Sequence, residues 1–223
     1  MLDFLDLDRY DLFGAFWTTV QLTVYSAIGS LIWGTVLAAM RVSPVPIMRG
    51  FGTAYVNLLR NTPLTLVIVA CSQGLYFTMG VTLGGGDTGG IAFRLAVLGF
   101  IVYTSTFVCE ALRSGINTVP VGQAEAARAL GLSFGQVLRL VVLPQAFRSV
   151  VPPLANVLIA LTKNTTVAAT IGVAEAALLM RDMIEREAQL IPIAAVFAFG
   201  FIVLTLPTGL FLGWVSKRVA VKR

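Results

Sequence analysis

GQAEAARALGLSFGQVLRLVVLP, residues 122–144, is the stretch from which the rest of the chain can be read. Ala124, Ala127 and Leu130 recur at helical spacing while Glu125 and Arg128 occupy another face, so Val121 to Leu130 reads as a first short helix. Gly131 ends it in the manner of a left-handed cap. Ser133 and Gln136 have the spacing of a capping box, which predicts a second helix from Ser133 toward Leu143, interrupted at Pro144. Two short helices at an angle result, with very apolar sequence on both sides.

Composition assigns the surroundings. The chain has 223 residues, of which 57% are hydrophobic and 12% charged, with no His; its mean hydropathy is +0.86. Such a sequence is too apolar for an ordinary soluble domain and predicts an all-α, polytopic membrane protein. No linker or strong internal repeat divides it, so residues 1–223 read as a single membrane domain. The N-terminus is acidic, with Asp3, Asp6, Asp8 and Asp11 against Arg9, which predicts no cleaved signal peptide. Cys71 and Cys109 lie in apolar segments without metal-ligand spacing and read as buried thiols; no metal site is expected.

An Ala-rich helix, a Gly turn and a second helix also describe a DNA-binding helix-turn-helix. The apolar flanks leave no free recognition module, so nucleic acid is not an expected partner, and Arg128 and Arg139 read as cytoplasmic charges. Glu125, Ala126 and Ala127, then Gly131, then Leu143 and Pro144 resemble the EAA loop of binding-protein-dependent ABC importer permeases; Val141 stands where that pattern usually has isoleucine. The resemblance implies a type I importer permease fold and a coupling loop at about residues 114–147. It also implies that Gly122, Gln123, Glu125, Ala126, Ala127, Arg128 and Gly131 meet a cytoplasmic ATPase. Small Ala side chains suit close docking, and Glu125 and Arg128 offer orienting polar contacts.

Outward from the loop, apolar spans are expected at about Phe13 to Met40, from the VSPVPIMRG loop toward Gly80, Phe93 to Leu112, from Val150 onward, and Leu190 to Trp214. Five spans place the termini on opposite sides. Ten cations fall with the coupling loop: Arg41, Arg49, Arg113, Arg128, Arg139, Arg148, Lys217, Arg218, Lys222 and Arg223. Four fall on the other side: Arg9, Arg94, Arg181 and Arg186. That bias predicts an outside N-terminus and a cytoplasmic C-terminus and loop.

Polar breaks inside these spans are the candidate pathway residues. Arg60, Asn61, Thr62 and Pro63 admit two readings. In one, a span begins near Pro63 with Asn61 as its cap and Arg60 at the interface; in the other it begins near Gly50, Pro63 kinks it and Arg60 projects into the bundle. Polar amino-acid permeases of the resembled superfamily carry R-G-T-P here, with Asn61 replacing that glycine. Glu110 and Arg113, three apart, read as a structural ion pair or an inner gate.

Val150 to Leu161 is only twelve residues long and must continue through Thr162, Lys163, Asn164, Thr165 and Thr166 into an apolar stretch ending at Met180. Lys163 reads either as a lysine snorkelling to the outer interface or as a pathway cation; the adjacent hydroxyls and amide favour the second. Related permeases show K-D-T-S where this chain has K-N-T-T, which leaves Lys163 without that acidic neighbour. The glycine-rich segment Gly84 to Gly90 reads as a surface connector, since it lacks the Lys-Ser/Thr ending of a phosphate loop.

The whole chain is similar to permeases of polar amino-acid ABC importers, and RNTPLTLV, FRLAVLGFIVYTSTFVCEALRSGINTV and LTKNTTVAATIGV resemble the glutamate-uptake type. The resemblance implies a multi-pass subunit of the bacterial cell membrane that is not itself an enzyme and binds no cofactor directly. ATP and Mg would be used by a partner. The implied assembly has a second permease subunit, two ATP-binding subunits and an extracellular substrate-binding protein, with an amino acid as substrate. Glutamine or basic amino acids are alternative substrates, and an ATP-independent secondary transporter or channel is the rival class.

Overall fold

Each apolar run begins and ends where a local signal tells it to. The computed structural model describes residues 9–219; Asp3, Asp6, Asp8, Lys222 and Arg223 lie outside the described residues. Asp11 starts α1, Leu12–Val42, by accepting the Gly14 amide at 2.8 Å. Pro46 starts α2, Pro46–Arg60, at a position where a missing N–H is harmless. Next come α3, Leu64–Val69, which widens into a π-helical stretch Ala70–Thr78, and α4, Thr88–Asn117. The loop helices are α5, Val121–Ala129, and α6, Phe134–Val137, which passes through a π-helical turn Leu138–Val142 into α7, Leu143–Asn164. A 3-10 segment Thr165–Ile171, then α8, Ala176–Glu187, and α9, Leu190–Val219, complete the described chain.

Among the described residues, four segments are long and apolar enough to cross a membrane: Leu12–Val42, Thr88–Asn117, Arg148–Ile171 and Leu190–Val215. The contacts fix their directions. Tyr25 meets Phe93, Gly34 meets Val108 and Arg41 meets Glu110, so α1 and α4 run the same way. Phe16 stacks on Phe197 near the start of α9, which gives α9 that direction too. α7 runs opposite to them, since Gly115 abuts Val150 while Thr104 and Leu161 line one hollow. The chain must therefore return between α1 and α4. That return is the bent pair Pro46–Arg60 and Leu64–Thr78, whose axes differ by 109°.

Close approach of small residues holds the spans together, because lipid tails are as apolar as the side chains they surround. Thr19, Leu22, Ser26, Ser30 and Gly34 form the buried stripe of α1. A Cβ on Gly34 would lie 2.6 Å from that of Val108 and 2.8 Å from the Ser105 carbonyl oxygen, so only glycine permits the α1·α4 contact. Leu22, Ile68, Phe100, Leu161 and Ala168 fill the centre.

Three boundaries differ from the sequence reading. The Asn61–Pro63 break is far sharper than a proline kink, and Leu64–Thr78 alone is short of the roughly 20 residues of a full crossing. Pro144 does not interrupt the second loop helix: α6, the π-helical turn and α7 run on through it without a break. The fourth span ends at Ile171, and left-handed Gly172 (φ 80°) separates it from α8, so the apolar run toward Met180 is two elements.

Candidate functional site

The predicted helix–turn–helix is present, with its caps closed by hydrogen bonds. Gly131 adopts φ +88°; its amide donates to the Arg128 carbonyl at 2.9 Å and the Leu132 amide to the Ala127 carbonyl at 3.2 Å. These are the paired bonds of a Schellman motif. Ser133 and Gln136 cap reciprocally: the Ser133 amide donates to Gln136 Oε1 at 2.8 Å and the Gln136 amide to Ser133 Oγ at 3.4 Å. On α5, Ala127 is buried while Gly122, Gln123, Glu125, Ala126 and Arg128 are exposed. Leu130, which shares the Ala127 spacing, is instead 84% exposed. The loop is tied to α7 by Gln145 Nε2, which donates to Gln123 Oε1 at 2.6 Å.

The ends of the helices gather the cations. Arg41, Arg113, Arg128, Arg139 and Arg148 belong to the end of the bundle that carries α5, while Arg9, Arg94, Arg181 and Arg186 belong to the other. Near the basic end Glu110 pairs not only with Arg113, at 3.5 Å, but also with Arg60, at 3.5 Å, and with Arg41. Arg41 is the most enclosed of the three guanidiniums. The expected ion pair is thus the minor arm of a cluster uniting α1, α2 and α4.

Arg60 stands at the sharp break, its guanidinium 5.8 Å from the centre of the Phe107 ring. Asn61 caps the end of α2 rather than the start of α3: its amide donates to the Asn57 carbonyl at 2.7 Å, and the Thr62 hydroxyl to the Leu58 carbonyl at 2.8 Å. Both satisfy carbonyls that a helix end leaves orphaned. Beside Phe107 lies a hollow of about 330 Å³ between α4 and α7, lined among others by Tyr103, Thr104, Asn156 and Asn164.

Asn164 is the residue of the KNTT motif that reaches this hollow. Lys163 is exposed and is not among its lining residues. Thr165 and Thr166 turn their hydroxyls to the Thr162 and Lys163 carbonyls at 2.7 and 2.9 Å, so they hold the 3-10 turn together rather than present free donors. Tyr103, Phe107 and Asn156 were not singled out in the sequence. Asn156 sits eight residues before Asn164 on one side of α7, a spacing that could have revealed it.

At the opposite end a fully buried acid escaped the sequence reading. Glu175 caps α8 by accepting the Leu178 amide at 3.0 Å, and the Thr19 hydroxyl of α1 lies 3.4 Å from its other oxygen. Burial pushes this carboxyl up from its ordinary range, against the opposing pull of the Ala177 and Leu178 amides and the Thr19 hydroxyl. Nearby, Tyr10 and Arg9 both donate to Glu187, at 2.7 and 2.9 Å, and the Glu187 carboxylate raises the Tyr10 phenol. Among the described residues no group of three or more side chains is arranged to hold a metal ion.

Comparison with known proteins gives this geometry its family. Residues 18–221 match the family model described as the binding-protein-dependent transport system inner membrane component. The chain is 60% identical over 214 residues to the glutamate transport system permease protein GluC of Corynebacterium efficiens, covering 94% of each chain. It is 33% identical to the probable glutamine ABC transporter permease protein GlnM of Bacillus subtilis, covering 92% of this chain and 91% of that one. Among solved structures, a chain in the crystal structure of an amino acid ABC transporter with histidines superposes with a TM-score of 0.86 at 25% identity, covering 98% of this chain and 99% of that one. The all-α bundle, its capped EAA loop and this chain-long likeness lead to one conclusion: the protein belongs to the binding-protein-dependent transport system inner membrane components, the permeases of ABC importers.

Proposed function

We propose that the protein is one of two permease subunits of an ATP-driven glutamate importer in the bacterial cell membrane, with its N-terminus outside and its C-terminus in the cytoplasm. Residues 1–223 act as one membrane domain, with the coupling loop at about residues 114–147. Two separate ATP-binding subunits hydrolyse ATP with Mg and dock on α5, and an extracellular binding protein delivers the amino acid. The observation that carries this reading is α5 itself: a short helix, capped at Gly131, that stands exposed at the basic end of the bundle. Such an element can move α7 through Gln123 and Gln145 when a partner pulls on it. Glutamate is favoured over other polar amino acids by the 60% likeness to a protein named for glutamate transport.

The route runs past the hollow of Tyr103, Phe107, Asn156 and Asn164, with Arg60 beside it and Lys163 adjacent along the chain. An amino-acid carboxylate crossing a low-dielectric bundle needs compensating charge, which Arg60 and Lys163 supply as pathway or gate cations. The test is uptake of labelled glutamate by the reconstituted complex, challenged with aspartate, glutamine and arginine. ATP-dependent uptake inhibited by aspartate but not arginine is expected. Strong inhibition by arginine overturns the anionic substrate, and uptake without ATP overturns the importer reading.

A further inference from the structure

Three helices leave a trough unfilled at the basic end of the bundle. It measures about 760 Å³ and lies between Ala39 and Val42 of α1, Leu112 and Ile116 of α4, and Leu154 and Arg148 of α7. Among the described residues two polar side chains line it, Thr35 and Arg148. The Thr35 hydroxyl is already bonded to the Leu31 carbonyl at 2.6 Å, so the guanidinium of Arg148 is the polar group left to offer. Arg148 is exposed, and among the described residues no carboxylate pairs with it.

Its depth suits a boundary. Arg148 is the first residue of the apolar segment Arg148–Ile171, which puts the charge at the edge of the hydrocarbon while the trough runs on beneath it to Leu154. On α4 the trough lies on the side opposite the hollow beside Phe107. Tyr103 and Leu112, like Phe107 and Ile116, are nine residues apart on α4, about two and a half turns, and so project from opposite sides of the helix. If the hollow borders the pathway and the second permease, the trough borders lipid.

We propose that this trough is a binding site for an anionic phospholipid of the cytoplasmic leaflet, with an acyl chain along Ala39, Leu112 and Leu154 and the phosphate on Arg148. The assignment rests on the pathway reading above for the direction in which the trough faces. A chain-sized apolar groove with an exposed cation on its wall at the boundary matches both parts of such a lipid. A zwitterionic lipid offers the same phosphate but brings a choline cation that cancels its charge, and a second protein helix must bring its own acid to the boundary.

The test uses the complete transporter in phosphatidylcholine nanodiscs containing a trace of phosphatidylglycerol with a photoactivatable acyl chain, or its phosphatidylcholine analogue. Cross-links are mapped by mass spectrometry. The phosphatidylglycerol probe should label peptides bearing residues 35–42 and 143–154 about fivefold more than the choline probe. Arg148→Gln should abolish that preference, Arg148→Lys should keep most of it, and Ala39→Trp should suppress labelling by both probes by filling the trough. Equal labelling in the unmodified protein, a preference that survives Arg148→Gln, or photo-cross-linking of a benzophenone maleimide attached at Ala39→Cys to the second permease would overturn the site. Lipid attached around Phe107 or Asn156 would instead overturn the pathway reading, and it is recognised by falling on different peptides.

Discussion

Arg41 closes α1 on Glu110 of α4, a partner 69 positions away, and the guanidinium is almost wholly enclosed. Because Arg60 and Arg113 share the same carboxylate, the loss of either partner is unequal. Glu110→Gln strands three guanidiniums, one of them largely enclosed, and should destabilise the permease by about 1–3 kcal/mol. Arg113→Gln removes a half-exposed arm and should change stability by less than about 1 kcal/mol. Thermal unfolding of the purified subunit should rank the two in that order.

Coupling should depend on the shape of α5. Ala126→Trp places bulk on its exposed face, and Gly131→Val forces a β-branched residue to the positive φ that the cap requires. A docking penalty of about 1.4 kcal/mol amounts to a tenfold weaker contact with the ATPase. ATP-driven glutamate uptake should fall by about that factor with near-normal permease levels in the membrane. Unchanged uptake in both variants would remove α5 from the coupling role.

Sidedness follows from the distribution of cations. With Cys71 and Cys109 replaced, a cysteine at Thr88 should react with an impermeant thiol reagent added to intact cells. One at Ser133 should react only after the cells are opened. Both positions are exposed, so accessibility of the side chain is not the variable. Equal labelling of Ser133 from outside would reverse the orientation.

The hollow beside Phe107 should matter to transport more than to folding. Asn164→Ala, Arg60→Ala and Lys163→Ala should each lower glutamate uptake, by about tenfold where a charge-assisted contact of roughly 1.4 kcal/mol is lost. Assembly with the other subunits, followed by co-purification, should be retained. Normal uptake in all three would dismiss the hollow and its neighbours as the route.

Glu175 gives a pH dependence with a definite sign. Its folded pKa is raised by burial, so the native state holds this proton more tightly than the unfolded chain does. Its contribution is greatest below the ordinary carboxylate pKa and declines as pH rises through the raised value. Glu175→Gln can still accept the Leu178 amide but cannot ionise. The variant's melting temperature should therefore lose that slope and exceed the wild type at neutral pH. A parallel pH profile for both proteins would contradict the assignment.

Local signals were legible in the sequence and long-range ones were not. Gly131 and the Ser133/Gln136 box announce their bonds within a few residues, and both formed as read. The Glu110–Arg113 spacing likewise revealed an ion pair. Arg41 was invisible as the third partner, because the α1–α4 pairing is set by long-range packing such as that of Gly34 against Val108, which no local spacing announces. The RNTP break left two readings open because a proline restricts the residue before it without fixing the angle between two helices. Lys163 and Asn164 are adjacent, and only the rotation of α7 decides that Asn164 lines the hollow. Glu175 went unremarked inside the apolar run toward Met180, since nothing in AEAALLM marks the Thr19 side of α1 as its neighbour.

The π-helical turn Leu138–Val142 sets a rotational phase. An ordinary helix running from α6 into α7 would lock the azimuth of the coupling unit to that of Asn156 and Asn164, residue for residue. A wide turn accommodates one extra residue, and so offsets the two by about 100° without breaking the rod that joins them. Push is therefore transmitted along the axis while the facing of each end is chosen separately. Deleting a single residue from 138–142 would leave every side chain of the hollow in the protein, yet aim them elsewhere.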